Sequence, residues 1–275
     1  MNNWRAPTLI RRALTKTDRG ESYWKCVREL QGRGTEEVFG LAADRCRKKD
    51  NASRSLGADI LGQLGTPDRP FREPSLDVLW RLLSLAKSPL VLNSALVAVG
   101  HLQEKSDVRN IHLIASFAKH PSEIVRYGVV HALLARSDPR SITTLVGLSN
   151  DEAVMVRDWA TFGLGSMVEQ DSPRIRRALK DRLDDPDVDT RLEALVGLAR
   201  RKSSDTRSRL IVELQKPDPT SLVFEAALEF GDASLLPLIE IHRRSADEKT
   251  NPDWLSVVSF ACEMLSRNGK TNGRR

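Results

Sequence analysis

Aromatic side chains are scarce in this 275-residue sequence, at 5%, and cysteine is scarcer, with three residues: Cys26, Cys46 and Cys262. The number is odd and none stands at the close spacing of a metal or redox motif. That argues against a disulfide framework and for a reducing, cytoplasmic setting. Long apolar runs are also missing. The best, LVLNSALVAVG, is broken by Asn93 and Ser94, well short of the ~18 apolar residues of a membrane helix, so no membrane association is expected. The opening MNNWRAPTLIRRAL has no uninterrupted apolar core and no small-residue cleavage site, so no signal peptide is expected. The sequence has no glycine-rich phosphate loop, no nucleophile elbow and no Cys-His pair at suggestive spacing. With no catalytic motif, the chain is expected not to be an enzyme, and no cofactor or metal is expected. No segment sustains period-two alternation, which excludes a strand-based fold.

Helix-forming residues and mixed charge, by contrast, are abundant. A hydrophobic content of 40% with 29% charged residues suits a soluble protein with a core. The net charge of +6 leaves room for an acidic partner or nucleic acid. A nucleic-acid interface, however, shows itself as a clustered basic face and not as a net count.

The clustering that matters is repetition along the chain. SRSLGADILGQLG, LVLNSALVAVGHL, VRYGVVHALLAR, VRDWATFGLGSM, TRLEALVGLARR and LVFEAALEFGD share one plan: an apolar residue, often arginine, small residues, then an apolar pair near glycine or alanine. Anchored on Arg157, equivalent positions fall at Arg54, Leu92, Arg126, Arg157, Arg191 and Val223, in steps of 38, 34, 31, 34 and 32 residues. A second helical pattern lies between successive anchors, as in DVRNIHLIASFAKH from Asp107 and SPRIRRALKDRL from Ser172. Links such as HPSE, NDEA, DDPD and KPDP supply N-cap and first-turn residues. One helix pair cannot bury its apolar stripe alone, so neighbours must stack and share a core. On the anchor helix, Val156, Ala160, Gly163, Leu164 and Met167 form the buried side at helical spacing.

The segments DPDVDTRLEALVGLARR and NDEAVMVRDWATFGLGSM resemble HEAT-like repeats of the short bacterial kind, also called phycobilisome-lyase-type repeats. The resemblance implies an all-α, right-handed α-solenoid of about six to seven helix pairs. Residues 1–35 are then N-terminal capping helices, 36–266 the repeat array, and 267–275 a flexible basic tail. Asp151 lies six residues before Arg157 and Asp185 six before Arg191, a spacing that in HEAT families resembles an Asp–Arg ladder tying successive repeats. Before Arg126 the place is taken by His120, which predicts an interruption there. HEAT-class relatives that bind iron for hydroxylation carry repeated His-Glu pairs; this chain has no His-Glu dipeptide, and that enzymatic reading is set aside. A further HEAT-like branch, the alkylpurine DNA glycosylases, uses tryptophans and an aspartate over a basic face. Asp158 and Trp159 adjoin, but the motif does not match residue by residue.

Residues one, two, five and nine places past each anchor should turn away from the core, towards the concave face of the expected solenoid, through which a protein partner is expected to bind. These include Tyr127 and His131, then Asp158, Trp159 and Phe162, then Glu193, Val196 and Arg200. Aromatics with mixed charge at the centre of a repeat face suit a protein-binding hot spot; equally, Trp159 and Phe162 could fill the gap between repeats. Trp159 is not dictated by the repeat, since its equivalents are Leu56, Ser94, Gly128, Glu193 and Glu225. The order of motifs is also similar to HEAT-repeat proteins encoded in Rhs and related polymorphic-toxin loci. This implies a monomeric immunity protein that neutralises a toxin domain. A nucleic-acid or DNA-damage role, motivated by Arg174, Arg176, Arg177, Lys180 and Arg182 with Arg200, Arg201 and Lys202, is the competing class. A bilin-lyase or chaperone role rests on the repeat family's name.

Overall fold

The computed structural model describes residues 4–16, 18–104, 106–246 and 251–272. Among them every regular element is helical. The chain divides into two compact units, Met1–Thr144 and Leu145–Arg275.

In the first unit α1 (Ala6–Leu14) packs on α2 (Glu21–Arg33), and α2 on the second helix of the next pair. Three helix pairs follow: α3 (Glu36–Cys46) with α4 (Asn51–Gly62), α5 (Arg72–Leu85) with α6 (Pro89–Leu102), and α7 (Ile111–Ser116) with α8 (Glu123–Leu133). The anchor helices α4, α6 and α8 pack on one another in succession. The unit boundary falls inside α9 (Pro139–Leu148). The second unit starts its own anchor row with α10 (Val154–Phe162). It continues with the pairs α11 (Pro173–Lys180) and α12 (Val188–Arg200), α13 (Thr206–Leu214) and α14 (Ser221–Phe230), and α15 (Leu236–Ser245) and α16 (Pro252–Asn272). Here α10, α12, α14 and α16 pack in succession. The fold class is thus the all-helical repeat stack anticipated from the anchors. Of the proposed tail, α16 occupies the part up to Asn272, and residues 273–275 lie outside the described residues.

Local chemistry sets the helix ends. Ser172 accepts from Ile175 N–H with Pro173 in the first turn, and Asp187 accepts from Thr190 N–H at 2.8 Å, each satisfying a donor that the helix leaves orphaned. The helix anticipated from Asp107 instead begins at Ile111. Asp107 Oδ1 accepts from Arg109 N–H at 2.9 Å, and Asn110 is left-handed at φ 57°. This local side-chain-to-backbone bond competes with helix formation.

Val156, Ala160 and Leu164 are fully buried, as their spacing requires, while Met167 is half-buried. The cause is a π-helical turn over Gly163–Met167, closed by Val168 N–H to Gly163 O at 3.0 Å. The extra residue in that turn shifts Met167 off the 3.6-residue stripe. Small residues let the anchor helices touch through their backbones. A side-chain carbon placed on Gly197 would lie 2.5 Å from Gly165 Cα, and one on Gly100 would lie 2.5 Å from His131 O.

Candidate partner-binding face

Three of the four arginines at anchor positions, Arg126, Arg157 and Arg191, bind backbone. Arg157 donates from NH1 to Asp151 O at 2.7 Å, Arg191 from NH1 to Asp185 O at 2.6 Å, and Arg126 from NH1 to His120 O at 2.9 Å. The contact six residues back therefore runs through a carbonyl, not a carboxylate, and His120 serves as well as aspartate. The His120 side chain even fills the aspartate's other role: its Nδ1 accepts from Ser122 N–H at 3.1 Å, as Asp151 Oδ1 does from Ala153 N–H at 2.9 Å. The carboxylate tie comes from one repeat further on. Asp185 takes Arg157 in a two-pronged pair, Nε to Oδ2 at 2.8 Å and NH2 to Oδ1 at 3.1 Å, with both groups buried. Burial works against the Asp185 carboxylate. The Arg157 hydrogen bonds, the Asp187 N–H and the charges of Arg157 and Arg182 outweigh it and hold its pKa below the usual value.

Beside this scaffold, the second unit brings five of the candidate residues together on α10 and α12. Trp159 and Phe162 are half-buried and meet edge to face with ring centroids 5.6 Å apart, a geometry that aromatic quadrupoles favour. Asp158 and Glu193 are also half-buried. Burial pushes Asp158 up to about 6, reinforced by the charges of Asp187 and Asp189. Burial pushes Glu193 up to about 7, reinforced by Asp158, Glu225 and Asp189, against a hydrogen bond to Ser166 that favours the charged form. Neither Asp158 nor Glu193 has an ion-pair partner among the described residues, and Asp158 Oδ1 is buried without a hydrogen-bond partner. Arg200 is exposed, donates to Ser166 O at 2.5 Å and pairs with Glu229 at 3.0 Å. Ser166 sits in the π-helical turn and so joins Arg200 to Glu193. Val196, grouped with these by its distance from the anchor, is instead fully buried. The reason is that α12 is covered by α10, α11, α13 and α14 together.

Tyr127 and His131 belong to the first unit, on α8, where their rings lie 4.4 Å apart. Burial, then the charge of His101, pushes His131 down to about 4, so it stands neutral at pH 7. Among the described residues no group of three or more His, Cys, Asp or Glu is arranged to hold a metal ion.

The basic segments are largely engaged within the fold. Arg176 pairs with Asp171 at 2.6 Å, Arg182 with Asp185 at 3.1 Å and Lys180 with Asp205. Arg201, read in the sequence as part of a basic surface run, is buried. It donates to the carbonyls of Gly165, Gly197, Leu164, Val168 and Gln170 at 2.8–3.1 Å. Arg136 does the same in the first unit, to Ala132 O, Glu104 O and Asp107 O and to Gln103 Oε1. Lys202 Nζ caps α14 at Phe230 O, 3.0 Å. Sequence reasoning missed Arg136 and Arg201 as structural ties. The available signal was their common offset, ten residues past Arg126 and Arg191.

No family model matches the chain. The chain is 28% identical over 247 residues to Protein YibA of Escherichia coli strain K12, covering 88% of this chain and 85% of YibA, and equally to YibA of strain O157:H7. The X-ray structure of E. coli YibA superposes with a TM-score of 0.72 at 26% identity, covering 96% of this chain and 93% of YibA. The crystal structure of an engineered protein gives a TM-score of 0.56 at 14% identity over 98% of this chain and 78% of its own, a likeness of fold alone. A structure of human deoxyhypusine hydroxylase matches at 14% identity and a TM-score of 0.36, over 97% and 96% of the two chains. The chain is thus similar to YibA over most of both lengths and shares its all-helical, HEAT-like repeat fold. No helix among the described residues is long and apolar enough to cross a membrane.

The expectation that the chain is not an enzyme is corrected by these comparisons. The expectation had rested only on missing motifs, and deoxyhypusine hydroxylase, an enzyme by its name, stands among the similar structures. At its TM-score of 0.36 it assigns no reaction to this chain.

Proposed function

We propose that the chain binds a protein partner through the α10–α12 face of its second unit, with Trp159 and Phe162 as the apolar anchor and Asp158 and Glu193 receiving a lysine or arginine. The observation that carries this reading is the pair of half-buried carboxylates that make no ion pair among the described residues, beside an edge-to-face aromatic pair. Carboxylates in that state raise the free energy of the isolated fold, and clefts that keep such groups are characteristic of binding sites. An incoming guanidinium or ammonium would relieve the repulsion and, with the aromatic contact, form a compact hot spot. Charge on this face is acidic, which disfavours nucleic acid as its partner.

The finer form of the proposal is that the partner is a toxin domain and the chain its immunity protein. The similarity in motif order to proteins of polymorphic-toxin loci supports it. Co-expression with the toxin encoded beside the gene should rescue growth, and Trp159→Ala should weaken capture of that toxin by at least tenfold with an unchanged helical circular dichroism spectrum. Equal killing with and without the protein rejects the immunity role. Unchanged capture by both Trp159→Ala and Asp158→Asn rejects the face itself. Because a cationic partner favours the charged carboxylates, binding should tighten as pH rises from about 5.5 to 8.

A further inference from the structure

We infer that a cavity between α3, α4 and α5 in the first unit binds a small amphipathic anion, a carboxylate or phosphate ester carrying an apolar chain or ring. The cavity holds about 540 Å³, within the roughly 300–1,000 Å³ of small-molecule sites. Four cations line it: Arg47 and Lys48 from the turn after α3, Arg54 from α4 and Arg81 from α5, against one carboxylate, Asp77. Arg47 is engaged with Asp44 at 2.9 Å. Lys48, Arg54 and Arg81 have no ion-pair partner among the described residues. This sets them apart from Arg157, Arg176, Arg182 and Arg201 of the second unit, which are spent on carbonyls and carboxylates of the fold.

Apolar side chains from one face of α5 complete the lining: Val78 is half-buried, Leu82 buried, and Leu85 remains 65% exposed. A leucine so exposed beside converging cations offers a ligand both a contact to desolvate and a charge to neutralise. Inorganic phosphate would use the cations and leave the apolar wall wet; a neutral hydrocarbon would do the reverse. A ligand joining the two uses the whole lining. The remaining wall, Cys46, is buried, and burial pushes its thiol up to about 12, so it serves as an inert surface and the ligand is held without a covalent bond.

Titration calorimetry on the full chain with decanoate, decanol and inorganic phosphate tests this. Decanoate should bind at least tenfold tighter than either of the others. The double variant Arg54→Ser/Arg81→Ser should weaken decanoate at least tenfold, and Leu85→Ser, at an exposed position that does not endanger folding, several-fold. Phosphate binding as tightly as decanoate, or decanol doing so, overturns the inference, as does decanoate binding untouched by Leu85→Ser. A deca-glutamate peptide that binds tighter than decanoate overturns it in favour of a macromolecular occupant.

Discussion

Glu193 carries an ordinary-looking side chain in a position that opposes its charge. It faces Asp158 on α10, Asp189 one turn earlier on α12 and Glu225 on α14, with Ser166 its hydrogen-bond partner. Like charges four apart on a helix repel, and Asp189 and Glu193 are such a pair. The folded pKa values of about 7 for Glu193 and about 6 for Asp158 stand above their ordinary 4.5 and 3.8. Between about pH 4 and pH 7 the folded state therefore holds protons that the unfolded chain has released. Stability from these groups is full below that window and falls as pH rises through it. Glu193→Gln should raise stability by about 1 kcal/mol at pH 8 and leave it unchanged near pH 4. Urea midpoints at the two pH values check this; an equal gain at both would mean altered packing and not relieved charge. At this scale the sequence was least legible. Asp158, Trp159, Phe162, Glu193 and Arg200 were picked out by helical angle, and that arithmetic could not show that two of them would make no ion pair. Glu193 meets Asp158 and Glu225 from neighbouring helices, and Arg200 meets Glu229 from α14, about a repeat away and beyond any local pattern.

Among the elements, α12 shows what the repeat pattern could and could not predict. Its buried face, its capping by Asp187 and its small residues were all readable from TRLEALVGLARR and the preceding DDPD, because capping and periodicity act within a few residues. The ladder was half readable: the six-residue spacing is real, but the acceptor is a carbonyl and the carboxylate belongs to the following repeat. The π-helical turn after α10 left no mark in the sequence beyond its two glycines. The contact between that turn and α12 gives a direct test. Since a methyl on Gly197 would lie 2.5 Å from Gly165 Cα, Gly197→Ala must part the two backbones, and overpacking of this kind costs about 1–3 kcal/mol. Denaturant unfolding should show that loss even though alanine is the better helix former. Equal stability would mean the helices separate freely.

For the whole molecule, composition pointed to a mildly basic protein, and net charge proved a poor guide to its surface. Arg136, Arg157 and Arg201 are interior groups whose charge is answered by carbonyls or by Asp185, so they contribute to the count without contributing a basic face. The repeat order itself was fully legible from one sequence, since a period near 34 residues with recurring small and apolar positions leaves few architectures open. In such stacks each element is stabilised mainly by its neighbours. The Gly197→Ala loss should therefore stay local. Amide hydrogen exchange is expected to quicken in α10, α12 and α14 while α4 and α6 keep their protection. Quickening in all five helices by the same factor would show that the chain opens as one cooperative block.

The arginine ties also bear on how such a chain can change length. A guanidinium that holds carbonyls asks nothing of the side chains it reaches, since every residue supplies the same acceptor. If one period of about 34 residues were excised or duplicated, each arginine would meet the equivalent carbonyls of a different repeat. At those ties the junction would need no matched substitution, whereas the Arg157–Asp185 pair would need its carboxylate. Ties directed at backbone thus leave the number of repeats freer to change by recombination than ties between matched side chains would.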